Sequence, residues 1–177
     1  RLLSHLETAG LKDSTSIIVL SDHGEAFGEH RFHFHGHTLF EEEIHVPLII
    51  AGPGVVPGQT ETRVSLVDVL PTSIELSGLT PKLPKGLPGR SLLPALQGKK
   101  LKAKDVYSQL LPYPNWPEEQ HVLIADGMKM IYHRSRNLWM LFDLEVDPKE
   151  RNNLMRNHKA SAKLQQVLRG IIKETAR

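Results

Sequence analysis

Apolar positions follow a helical repeat at the start of the chain, then short unbroken runs, then β-prone runs separated by turn signals. At the N-terminus "RLLSHLETAG" puts Leu2, Leu3 and Leu6 on one helical face, with Gly10 at the C-terminal cap. "TSIIVL" (15–20) and "VPLIIAG" (46–52) are continuous apolar runs. They predict strands buried on both faces. A helix followed by such a strand predicts an α/β layer. "VDVLPTSIELSG" (67–78) predicts a helix with Asp68 as N-cap, Pro71 in the first turn and Gly78 at its end.

The pattern changes near residue 79. "LTPKLPKGLPGRSLLP" (79–94) is rich in proline and glycine and predicts an extended linker or surface loop. The basic tract "GKKLKAK" (98–104) continues it. Beyond it, "VYSQLL", "HVLIADGMKMIYH" and "LWMLFDLEV" predict an antiparallel sheet, with Asp126-Gly127 as a hairpin turn. Residues 160–176 predict an amphipathic helix with Leu164, Val167, Leu168, Ile171 and Ile172 on one face. The expected organisation is an α/β part over 1–98 and a smaller α+β part over 99–177.

Composition narrows the classes. The 177 residues are 40% hydrophobic and 24% charged, an ordinary globular mix. A net charge of +2 argues against a dedicated nucleic-acid binder. The basic excess between Lys149 and Arg177 reads as a solvated helix face. With no cysteine there is no disulfide framework, thiolate metal site or Cys nucleophile. No apolar run reaches the length of about 18 residues needed to span a membrane. The chain opens at Arg1 inside a helical pattern, which reads as a cut end. A signal peptide or anchor ahead of it would fit a periplasmic, membrane-anchored or extracellular protein.

The densest chemistry lies in "SDHGEAFGEHRFHFHGHTLF" (21–40), which holds five of the ten histidines. Asp22 and His23 directly follow a predicted strand, where ligands sit in open α/β sheets. Gly24 would let the chain turn so that both side chains converge. Imidazole and carboxylate together suit Zn²⁺, Mn²⁺ or Fe better than Ca²⁺. Asp22 as a turn residue and His23 as a surface imidazole is the plainer alternative. His33, His35 and His37 alternate, so an extended segment would align them on one face and send Phe32 and Phe34 into a core. Neutral imidazoles ligate metals and protonated ones hold anions; an exposed His-rich loop without a ligand fits the spacing equally. His30 and His33 are expected to be structural or solvated. Glu25 and Glu29 either orient imidazoles or cap the chain locally.

Several stretches together resemble the C-terminal half of the sulfatase family, within the alkaline-phosphatase-like superfamily. They are "LKDSTSIIVLSDHGEAFGEH", "HGHTLFEEEIHVPLIIAGPG", "RVSLVDVLPTSIELSGL", "GRSLLPAL" and "LFDLEVDPKERNNL", in that order. The resemblance implies the C-terminal portion of an α/β/α sandwich, followed by a small α+β subdomain with an antiparallel sheet and C-terminal helix. It implies hydrolysis of sulfate esters. Asp22 and His23 match the family's metal-ligand pair, with the ion left open among Ca, Mn, Zn and Mg. His35 falls where members carry a cationic contact to the substrate anion, so it is the implied catalytic and substrate-binding residue. His37 is a second substrate-binding candidate. Arg90 and Asp68 are also family-like, with a loop ion pair and a helix cap as simpler roles. The family's other metal ligands and its formylglycine nucleophile are expected in an N-terminal half that this sequence does not contain. The implied partner is a sulfated, or phosphorylated, small molecule or glycan. A phosphodiesterase or phosphoethanolamine transferase of the same superfamily, and a non-catalytic metal- or anion-binding remnant, stay open as alternatives.

Overall fold

The structure is a computed structural model describing residues 1–79 and 86–175. In chain order its elements are α1 (Leu2–Thr8), β1 (Ile17–Leu20), β2 (Ala26–Phe27), β3 (His33–Phe34), α2 (Glu41–Ile44) and β4 (Leu48–Ala51). Then follow α3 (Val69–Leu76), α4 (Leu93–Leu96), β5 (Val106–Leu110), β6 (Gln120–Ala125), β7 (Met128–His133), β8 (Leu138–Asp143) and α5 (Ser161–Thr175). They gather into two units: residues 1–22 with 47–104, and residues 23–46 with 105–177. Residues 23–46, which precede position 98, thus pack with the later sheet.

In the first unit α1 ends as its sequence suggests, with Gly10 left-handed at φ 68°. β1 pairs antiparallel with β4, Ile17 facing Ala51 and Leu20 facing Leu48. Both apolar runs are therefore strands, but neither is buried on both faces. Val19 is 52% exposed and Ile49 61%. Val19 and Ile49 are cross-strand partners, so they share the exposed face of this two-stranded sheet. Asp68 stands at the N-cap position of α3, as expected, but its side chain makes no cap hydrogen bond to that helix. Its carboxylate instead closes a capping box with Ser65 around the preceding turn Leu66–Asp68. The one-turn α4 begins at the end of the stretch expected to be loop and runs past it to Leu96, with Pro94 in its first turn. Of that stretch, residues 80–85 lie outside the described residues.

The second unit is built on an antiparallel sheet in the order β5-β6-β7-β8. Strict alternation divides its side chains between two cores. Leu123, Met130 and Leu141 pack with Leu164 and Leu168 of α5 on one face. Val122, Ile131 and Phe142 pack with Leu39 and Phe40 on the other. Fully burying a side chain of this kind stabilises by roughly 1.5–3 kcal/mol, so both faces hold the unit together. The Asp126-Gly127 turn has φ of 48° and 78°, the left-handed pair that a tight hairpin needs. Leu39 and Phe40 lie at the end of the histidine-rich stretch, so their packing anchors that stretch to the sheet.

Candidate functional site

β1 ends at Leu20, and Ser21, Asp22 and His23 follow it directly. Gly24 is required for closeness rather than for a special φ. Its N–H donates to the Glu43 carbonyl at 2.8 Å, and a Cβ there would overlap the Glu42 carbonyl oxygen. His23 Nδ1 lies 2.8 Å from the Gly24 carbonyl. A carbonyl only accepts, so Nδ1 carries the proton and the lone pair is on Nε2. The His35 ring stacks on His23 with centroids 4.0 Å apart and planes inclined by 22°. His35 Nδ1 is 3.4 Å from Glu25 Oε2. The structure thus brings His23, Glu25 and His35 together.

It does not align His33, His35 and His37 on one face. Phe34 and Gly36 have φ of 69° and 79°, which breaks the extended geometry that alternation assumed. Phe34 is 72% exposed instead of pointing into a core. His33 is exposed. His37 turns to the aromatic side, with its ring 4.6 Å from Trp116 and 6.3 Å from Phe32. His30 is held on all sides: Nδ1 is 2.8 Å from Glu42, Nε2 is 3.2 Å from the Glu150 carbonyl, and the ring stacks on Phe40 at 3.7 Å. Glu29 caps its own hairpin by accepting the Phe27 N–H at 2.6 Å. Hydrogen bonds from backbone N–H groups of Glu29 and Phe27 hold its carboxyl below the usual range.

Asp68 and Arg90 meet through the backbone, not as side-chain ions. Asp68 Oδ1 accepts the Arg90 N–H at 2.8 Å, while the Arg90 guanidinium donates to the Lys102 carbonyl. Both contacts fasten the first unit's loops.

Three residues that the sequence reading passed over hold the histidine segment. Glu43, 4% exposed, accepts the N–H groups of Gly36, His37 and Thr38 and the Thr38 hydroxyl. Lys129, fully buried on β7, reaches Glu41 at 3.0 Å and Glu150 at 2.9 Å. Burial pushes the Glu150 carboxyl up, only partly offset by the Lys129 charge. Gln120 donates to the His37 carbonyl at 2.8 Å. Lys129 had a readable signal, since a lysine inside a strand of buried apolar residues is buried only when paired.

The donor chemistry at Asp22 and His23 fits a divalent ion: a carboxylate oxygen, and an imidazole whose other nitrogen bonds a carbonyl, as ligating histidines do. Among the described residues, no group of three or more His, Cys, Asp or Glu side chains gathers as a metal site.

With this geometry in hand, comparison decides the family. A family model described as N-sulphoglucosamine sulphohydrolase, C-terminal, matches residues 28–177. The chain belongs to the sulfatase family. Arylsulfatase K of Xenopus laevis is 35% identical to this sulfatase chain over 168 residues, covering 86% of the chain and 30% of that protein. An N-acetylglucosamine-6-O-sulfatase of Bacteroides thetaiotaomicron is 32% identical over 184 residues, covering 99% of the chain and 32% of that protein. The sulfatase chain thus spans about a third of these relatives' length. Among solved structures, one in complex with its substrate D-glucosamine-2-N,6-O-disulfate superposes with a TM-score of 0.78 at 28% identity. It covers 99% of this chain and 36% of that one. A phosphonate monoester hydrolase of Silicibacter pomeroyi superposes with a TM-score of 0.81 at 27% identity, covering 100% and 38%. These likenesses place the chain in the C-terminal part of the alkaline-phosphatase-like fold. Sulfatases generally use a metal ion and a formylglycine.

Proposed function

We propose that this chain is the C-terminal part of a sulfatase that hydrolyses a sulfate ester on a sulfated glycan. The observation that carries the reading is the His23–His35 stack at 4.0 Å, which brings the imidazole beside Asp22 against the implied anion contact. The glycan is supported by the relative named for N-acetylglucosamine 6-O-sulfate and by the neighbour bound to a disulfated glucosamine. Residues 1–98 would belong to the catalytic domain and 99–177 to a C-terminal subdomain.

In this reading Asp22 and His23 hold a divalent ion, and an imidazole ligand favours Zn²⁺ or Mn²⁺ over Ca²⁺ or Mg²⁺. Bound there, the ion would act as a Lewis acid toward the ester oxygens. His35 in its protonated form donates N–H to the anionic oxygens, and Glu25 orients its ring. His37, half-buried beside Trp116, is the second candidate contact. The formylglycine and the remaining metal ligands would come from sulfatase sequence outside this match.

Cleavage of a phosphate or phosphonate ester is a second reading, favoured by the likeness to a phosphonate monoester hydrolase. Turnover of N-acetylglucosamine 6-sulfate and of a phenylphosphonate monoester by the complete polypeptide carrying residues 1–177 separates the two. We expect faster release of sulfate. A faster phosphonate reaction supports the second reading, and turnover of neither leaves a non-catalytic metal- or anion-binding role.

A further inference from the structure

We infer that Glu43 is a positioning residue, which holds the two histidine-bearing segments against each other without touching the ester. The inference rests on the sulfatase reading only for its catalytic consequence. Glu43 grips one segment with its side chain. Oε2 accepts the N–H of Gly36 at 2.7 Å and of His37 at 3.2 Å. Oε1 accepts the Thr38 N–H at 3.1 Å and the Thr38 hydroxyl at 2.6 Å. Three consecutive amides converging on one carboxylate form an internal anion nest. That nest fixes the turn immediately after His35.

The same residue grips the other segment with its backbone. The Glu43 carbonyl accepts the Gly24 N–H at 2.8 Å, immediately after His23. Glycine at 24 is what allows this approach, since a Cβ would overlap the neighbouring Glu42 carbonyl. One residue therefore sets the separation of His23 and His35. It is itself fixed from below. The Glu41 N–H donates to Glu150 at 2.6 Å, and the buried Lys129 ammonium reaches Glu41 at 3.0 Å. No shorter or neutral side chain replaces Glu43. Aspartate lacks one methylene of reach, and glutamine would point N–H donors at backbone donors. Removing the carboxylate leaves buried amides without acceptors.

The test is proton NMR on the 177-residue chain, comparing wild type with Glu43→Gln and Gly24→Ala. The readout is the nuclear Overhauser contact between the His23 and His35 rings. Leu123 and Leu141 methyl signals, in the core beneath α5, report independently that the unit is folded. In Glu43→Gln we expect the ring contact to vanish and the Gly36, His37 and Thr38 amides to shift, with the methyl signals unchanged. A persisting ring contact in that variant overturns the inference. If Glu43→Gln does not fold, Gly24→Ala decides. It keeps the carboxylate but drives the Glu42–Glu43 backbone away from Gly24, so the ring contact should again be lost, and its survival overturns the inference. In the complete polypeptide, Glu43→Gln should lower kcat for the sulfate ester by about 10²-fold, the cost of a small misplacement of a reacting group. Loss of the ring contact with undiminished kcat supports the positioning role and instead overturns the placement of His35 at the ester.

Discussion

Lys129 shows how much a single residue contributes here. Its side chain is fully buried, with Glu41 at 3.0 Å and Glu150 at 2.9 Å as counter-charges. Removing one partner of a buried ion pair strands the others and costs about 3–5 kcal/mol. We expect Lys129→Met to lose that much at pH 7, measured by guanidinium unfolding; a loss under about 1 kcal/mol would contradict the triad's role. The deficit should depend on pH. Burial raises the Glu150 carboxyl in the folded state, and Lys129 opposes the rise. A carboxyl raised on folding contributes stability that is fully present below its unfolded value of about 4.3 and lost as pH rises through the folded value. Deleting Lys129 raises the folded value further, so the deficit should narrow as pH falls toward 4. Residue roles were the least legible in the sequence. The alternation of His33, His35 and His37 was plain, but the positive φ at Phe34 and Gly36 that breaks it leaves no periodic signature. Glu43 was invisible because its partners are amides of a turn, and spacing says nothing about where a turn closes.

Elements were far more legible, and the reason is where their contacts lie. The four later strands and their hairpin read correctly because β-prone apolar runs flanking Asp126-Gly127 match a sheet covered on both faces by the same unit. α5 read correctly as a helix, while its apolar face was drawn one position too wide. Leu168 is completely buried, whereas its neighbour Val167 is 39% exposed. We therefore expect Leu168→Ala to destabilise by about 2–5 kcal/mol through an unfilled core site. Val167→Ala should cost under about 1 kcal/mol, since little area leaves water. Urea denaturation of the two variants checks the contrast, and equal losses would contradict this placement of the helix. β1 and β4 show the opposite case. Their runs are strands, but an unbroken apolar run does not by itself secure cover on both faces, and Val19 and Ile49 are exposed. Asp68 was legible as the N-cap of α3, whereas the turn at 66–68 ahead of it, capped by Ser65, left no periodic signal.

At the scale of the molecule, the family was legible in the order of its motifs, and residues 28–177 match it. The fold followed from the same motifs. The site was legible only in part. Asp22, His23 and His35 were named from the sequence, and the structure sets His23 and His35 ring against ring. The identity of the metal was not legible, because one carboxylate and one imidazole suit several ions. The chain spans about a third of the relatives it matches, so its catalytic role is best probed in the complete polypeptide. The most direct probe is the rate of sulfate release from N-acetylglucosamine 6-sulfate by wild type and His35→Ala, with thermal unfolding followed in parallel. If His35 holds the anionic oxygens, kcat should fall by about 10²–10³-fold, as when one stabilising donor is removed from a reacting centre, with the unfolding temperature unchanged. A His35→Ala enzyme that releases sulfate at the wild-type rate would contradict the placement of this histidine at the reacting ester.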